Sequence, residues 1–164
     1  MMRILKLELE INMEFSITFS ACSVFNSEHN EKSASGIIKI GDFEEQFIAS
    51  LDFWSLSDYR SHWFTALKRF QQGEVTSSLI TSLTDPNNTN FITWWPIYKV
   101  NKTLHFQNQI LFMADLKEPF CLDNPFAHIP ERETHTDIGE PISEWSVPIE
   151  NVIEFINNEF YHDK

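Results

Sequence analysis

The stretch SDYRSHWFTALKRFQQ, residues 57–72, constrains the fold most, because a helical period interrupts strand-like patterning there. Tyr59, Trp63, Ala66, Leu67 and Phe70 recur at helical spacing and fall on one face. Ser57 stands where an N-cap is expected, Asp58 suits the positive end of the helix, and Gly73 follows as a stop. A stripe with two large aromatics must be covered, so this helix has to lie against a sheet or a second helix.

The flanking patterns supply a sheet. Residues 3–11 and 14–25 alternate apolar and polar side chains, the period of half-buried strands. IIKI, then Gly41-Asp42, then FEEQFIASLDF reads as a hairpin with its turn at Gly41. The polar run 26–36 predicts a mobile loop. Strands are expected at 77–83, 91–100 and 103–113, the last two joined by Asn101-Lys102. Pro96 lacks an N–H, which predicts a sheet edge or a bulge.

Residues 114–132 hold Pro119, Pro125 and Pro130 without periodicity, so a long irregular connection is expected, of the kind that binds or moves. Residues 147–162 predict a second helix, with Pro148 in its first turn. Ile149, Val152, Ile153, Ile156 and Phe160 form its apolar face, and Glu150, Glu154 and Glu159 face water. Strands, a helix, more strands and a last helix give a single α+β domain over 1–164, built mostly on antiparallel sheet.

Charge narrows the partners. The chain carries 24 acids against 12 Lys and Arg, a formal net charge of −12. Residues 1–113 hold 12 acids and 9 bases, whereas residues 114–164 hold 12 acids and 3 bases. Such an acidic end repels phosphate and attracts a basic protein surface, which argues against nucleic acid as ligand. Cys22 and Cys121 show no CxxC spacing, so two buried free thiols in a reducing cytoplasm are expected. No run approaches the roughly 18 apolar residues of a membrane span. Glu8 and Glu10 interrupt any signal-peptide core, and Met13 is an alternative start to Met1.

Motifs for chemistry are few. The sequence has no Gly-rich phosphate loop, HExxH, GxSxG or zinc spacing. One cluster stands out: ETHTDIGEPISEW, residues 133–145. His135, Asp137 and Glu140 there would suit a small metal-dependent hydrolase, since oxygen ligands and an imidazole together bind divalent metals. An exposed acidic surface with a structural histidine explains the same residues more simply. NFITWWPIY, residues 90–98, resembles an aromatic platform for single-stranded nucleic acid, but only Lys99 and Lys102 are near. Core packing of Trp94 or Trp95 accounts for it better.

Four segments taken together resemble a known family: residues 53–70, 84–98, 104–113 and 132–155. The likeness rests on Trp54, Asp58, Tyr59, Trp63 and Leu67, then on Asn90-Phe91-Ile92 with Trp95 and Tyr98. It continues through Gln107-Asn108, Arg132, Thr134, His135 and Gly139 to Ile142-Ser143-Glu144-Trp145. These residues, in this order, are similar to the immunity proteins of bacterial contact-dependent growth inhibition, the CdiI type. The resemblance implies a non-enzyme without cofactor or metal that works in the cytoplasm. It implies a cognate CdiA-type C-terminal toxin domain as partner, often a nuclease, in the branch linked to ribonucleases acting on ribosomal RNA; a basic nuclease met by a monomer, or a 1:1 complex, is the expectation. It also implies a β-sandwich, Whirly-like, with two flanking helices. Likeness to a nucleic-acid-binding fold does not carry nucleic-acid binding with it.

Charge, rather than any family motif, then picks out the toxin-facing residues. Asp137, Glu140 and Glu144 are expected as rim charges, with Asp115, Glu118, Asp123, Glu131 and Glu133 as helpers.

Overall fold

The computed structural model describes residues 14–26 and 31–160, with the side chains of residues 21–23 left aside. The expected strand at 3–11 and the Cys22 thiol therefore lie outside the described residues. Eight strands and two helices follow in order: β1 (Phe15–Asn26), β2 (Lys32–Ile40), β3 (Phe43–Ser50), α1 (Leu56–Lys68), β4 (Thr76–Ser82), β5 (Phe91–Val100), β6 (Thr103–Gln107), β7 (Gln109–Phe112), β8 (Glu144–Pro148) and α2 (Ile149–Phe160). β1, β2 and β3 form one antiparallel sheet. The second sheet runs β4-β5-β6-β8, with β7 also paired to β5, all antiparallel. The architecture is α+β, as the patterning predicts.

The two sheets face each other across aromatic rings. Phe43 stacks on Trp145 with centroids 3.8 Å apart, and Phe15 stacks on Phe106 at 5.2 Å. One apolar core joins both sheets to both helices. The turn at Gly41-Asp42 joins β2 to β3, and Gly41 has a φ of 61°, which glycine adopts without strain. Gly36 matters for a different reason. It pairs with Phe47, and a Cβ at Gly36 would overlap the Phe47 ring. That ring packs edge-on against Trp63, so it has little room to give.

Helix α1 buries the stripe read from the sequence: Tyr59, Trp63, Ala66, Leu67 and Phe70 are all buried. Its cap is Ser55 rather than Ser57. Only Ser55 puts an acid at the third helical position, so the Ser55 hydroxyl accepts from the Asp58 N–H while Asp58 accepts from the Ser55 N–H, a capping box. The last turn tightens over Arg69–Gln72 and stops at Gly73, whose φ is 90°.

The helix does more than cover apolar surface. β4 is an edge strand, and α1 satisfies its exposed backbone. The Trp63 indole N–H donates to the Ile80 carbonyl at 2.8 Å, and the Ile80 N–H donates to His62 Nε2 at 2.9 Å. Tyr59 Oη donates to the Ser50 carbonyl at 2.7 Å and accepts from the Leu83 N–H at 2.9 Å. The Arg69 guanidinium donates to the Thr76 carbonyl. In return, Ser77 Oγ donates to the Ala66 carbonyl at 2.7 Å.

Several expectations need correction. Residues 32–36 belong to β2 rather than to a loop, because they pair with both β1 and β3. Pro96 marks neither an edge nor the sheet's bulge. β5 lies inside the sheet, and the bulge falls between Ile80 and Ser82. Pro96 instead sits where the ladder to the next strand is interrupted, between the Ile97–Phe106 and Trp94–Gln109 pairs. The missing N–H splits the expected strand 103–113 into β6 and β7, which keep one register. Val147 and Pro148 end strand β8 instead of starting the helix, and α2 also buries Phe155.

Two measurements test this packing. Gly36→Ala should lower the unfolding free energy by about 1–3 kcal/mol in urea titrations, the usual cost of overpacking; an unchanged midpoint would contradict the ring overlap. The second concerns His62, which lies between the Trp54 and Phe126 rings at 5.3 and 5.9 Å. Burial pushes its pKa down to about 3 from 6.5, against an opposing backbone hydrogen bond at Ser78. The unfolded chain therefore takes up a proton that the folded chain refuses. Stability from this group is complete above pH 6.5 and falls as the pH drops from 6.5 toward 3, by up to ~1.4 kcal/mol per pH unit. The stability of a His62→Gln variant should fall less steeply over that window, and equal slopes would contradict the assignment.

Candidate functional site

The long connection between β7 and β8, residues 113–143, forms a layer over the outer face of the five-stranded sheet. It is irregular, as its prolines predict, but it is packed. Phe120, Leu122, Phe126 and Ile129 lie against the core, and the Arg69 guanidinium sits 4.2 Å from the Phe126 ring centroid. Tyr98 Oη donates to the Pro130 carbonyl at 3.0 Å, and burial pushes the Tyr98 pKa up to about 12, so it stays a donor. Cys121, expected buried, is a free and exposed thiol in this connection.

The C-terminal part of the layer is pinned at one point. Glu144 sits in β8 opposite Gln107 of β6. Its carboxylate accepts from Gln107 Nε2 at 2.8 Å and from Arg132 at 2.6 and 3.0 Å, and it lies 3.1 Å from His105 Nδ1. Gln107 Nε2 also donates to the Glu133 carbonyl at 2.9 Å. Burial alone would raise the Glu144 pKa. The hydrogen bonds from Arg132 and Gln107, with the charges of Arg132 and His105, outweigh it and hold the carboxyl below its ordinary value.

From that anchor the chain rises into a small ridge. The Ile142 N–H donates to the Thr134 carbonyl and the Thr136 N–H to the Glu140 carbonyl, at 2.9 and 2.8 Å. His135 pairs with Pro141 as an isolated bridge, and Gly139 takes a φ of 82° at the tip. Every residue from Glu131 to Glu140 is exposed, and Ile138 at the tip is 81% exposed.

The residues singled out from the sequence thus separate into groups. Asp137 and Glu140 stand exposed at the ridge tip, and Glu131 and Glu133 lie along its approach. Asp115, Glu118 and Asp123 are exposed on the preceding part of the connection, Asp115 in a 3-10 turn directly after β7. Glu144 does not join them as a free charge. It is half-buried and engaged by three side chains. Sequence reading missed its partners because Arg132, Gln107 and His105 lie 12, 37 and 39 residues away and carry no local pattern.

The proposed hydrolase ligands are not brought together. His135 Nδ1 lies 3.0 Å from Thr134 Oγ1, and no three His, Cys, Asp or Glu side chains among the described residues are grouped to hold a metal ion. Trp94 and Trp95 are buried, so neither offers a stacking face to a base. No helix among the described residues is long and apolar enough to cross a membrane.

Glu144→Gln should cost about 1–3 kcal/mol at pH 7, the penalty for stripping a charged hydrogen-bond acceptor from a half-buried site. The folded pKa is depressed, so the gap to the native chain should be complete above pH 4.5 and close as the pH falls below it. A gap that persists unchanged in acid would contradict the ion-pair account.

Comparison with known proteins gives the chain its relatives. Residues 49–155 match the family model described as the CdiI N-terminal domain. The chain is 31% identical over 121 residues to the Immunity protein CdiI of Enterobacter cloacae, covering 74% of this chain and 83% of that protein. Its structure resembles a chain in the CdiA-CT/CdiI toxin and immunity complex from Enterobacter cloacae, with a TM-score of 0.80 and 28% identity, over 88% of this chain and 97% of the other.

Proposed function

This chain belongs to the CdiI family of immunity proteins, and we propose that it acts by binding and neutralising the C-terminal toxin domain of a cognate CdiA-type protein. The observation that carries this reading is the ridge: ten consecutive exposed residues, acids at 131, 133, 137 and 140, tied to the sheet through the Glu144 anchor. A pre-shaped acidic surface loses little freedom on binding and attracts a cationic partner. Among the described residues no group of three or more His, Cys, Asp or Glu side chains could hold a metal ion.

The partner in this reading is a nuclease domain, with ribosomal RNA as its substrate class. A nuclease needs a cationic face for RNA, and the acids of residues 115–140 present the same charge as the phosphates they displace. The protein is then a non-enzymatic inhibitor, one folded domain, that meets the toxin 1:1 in the cytoplasm of the producing cell. Glu144 serves by positioning the ridge, while Asp137, Glu140 and Glu133 provide the field.

Co-expression tests the reading. Cells making the cognate CdiA-type toxin domain should survive when this chain is present, and the two should co-purify; death without a complex would overturn it. Asp137→Asn, Glu140→Gln and Glu133→Gln combined should slow association by about 10-fold at low salt, with the difference closing at high salt. An unchanged association rate at low salt would remove the ridge from the encounter.

A further inference from the structure

The acidic ridge explains how a partner arrives but not how it stays. Electrostatic rims set association rates, whereas long-lived complexes rest on buried apolar anchors. The structure holds a surface that fits the second role, on a face the ridge does not use.

β5 and β6 turn one face toward the three-stranded sheet. Trp95 on that face meets Phe43, and Phe106 meets Phe15. Side chains two residues apart on a strand share a face. Phe91 lies four residues before Trp95, and Ile110 and Phe112 lie four and six residues after Phe106, so all three belong to the same core-facing surface. The register agrees: Phe91 pairs with Phe112 and Thr93 with Ile110, continuing the register of the Ile97–Phe106 pair. Yet Phe91, Ile110 and Phe112 are 48%, 53% and 49% exposed. Asn108 reaches Glu45 of β3 at 2.9 Å, and past that bond the face opens to solvent. The second sheet overhangs the first, and its core face continues, uncovered, for two residue pairs.

The overhang is a coherent patch. Among the described residues, Phe91 and Phe112 are the only exposed aromatic pair in ring contact, with centroids 6.4 Å apart. Acids lie close by along the chain. Asp115 follows Phe112 after two residues, and the Met113 N–H donates to the Asn90 carbonyl, which brings the turn carrying Asp85 to the same end. Glu118 is exposed nearby in sequence, and Lys117 is the one base in that segment. An apolar patch with acids close by along the chain suits a cationic protein surface with an apolar centre of its own. It suits a second copy of this chain poorly, since a net charge of −12 opposes self-association.

We infer that Phe91, Ile110 and Phe112 form the apolar anchor of the toxin interface, contacted after the acids have steered the toxin domain into place. This rests on the immunity reading above and locates where the lifetime of the complex is set.

The test measures binding kinetics of the full chain with the cognate CdiA-type toxin domain. Phe112→Ser and Phe91→Ser should each raise the dissociation rate about 30-fold or more, with association changed only a few-fold. Both sites are half-exposed, so thermal midpoints should hold. Should either serine variant lose its fold, Ile110→Thr keeps a β-branched residue on the strand and should still speed dissociation. Ile48→Ser, 61% exposed on β3 and off this face, should dissociate as the native chain does. If the native chain binds and the overhang variants leave at its rate, the anchor is wrong while the immunity reading stands. If the variants only convert a dimer of this chain to monomer, a second copy covers the face and the inference falls. If the native chain does not bind the toxin domain at all, both fall together.

Discussion

The fold depends on how helix α1 treats the edge of β4. A strand at a sheet edge carries unpaired N–H and C=O groups, and burying them without partners costs about 1–3 kcal/mol each. Here Trp63, His62, Tyr59 and Arg69 reach from the helix and its last turn to the backbone of residues 76–83. The same residues present apolar bodies, so a single element closes the sheet edge and fills the core beside Phe19 and Phe47. Tyr59 extends the clamp to the Ser50 carbonyl at the end of β3, which ties the two sheets together.

With the sheets fixed in this way, both proposed surfaces follow from what each sheet leaves uncovered. The outer face of the five-stranded sheet is roofed by the 113–143 connection, which ends in the ridge pinned by Glu144. The inner face is roofed by the three-stranded sheet except at Phe91, Ile110 and Phe112. Both surfaces are tied to the sheet framework, the ridge through Glu144 and the overhang through the β5–β7 ladder.

Much of the fold is legible locally. The α1 stripe, the Gly41 and Gly73 stops and the β2–β3 and β5–β6 hairpins depend on neighbours in sequence, so pattern and turn chemistry locate them. Apart from the helix cap, where the Ser55–Asp58 capping box is itself local, the failures share one cause, long-range context. β8 has only Trp145 and Val147 as inward residues, too few to signal a strand without the β6 edge beside it. Pro96 is tolerated inside a sheet because the next strand breaks opposite it, which no local rule anticipates. At the site, the acidic character of 131–140 is plain in the sequence. The different fate of Glu144 is not, because it is decided by Arg132, Gln107 and His105, which only the fold brings near. The overhang was hidden for the same reason: Phe91 and Phe112 read as ordinary strand residues until the extent of the opposing sheet is known.

One cationic toxin domain that covers both the ridge and the overhang would shield the two together. Amide hydrogen exchange of this chain, free and bound to the cognate toxin domain, tests this in one experiment. Binding should add protection in residues 109–118 and 131–141, with the outer face of β3 and helix α2 unchanged. Protection confined to β1–β3 or α2, with those two segments exchanging as in the free chain, would contradict it.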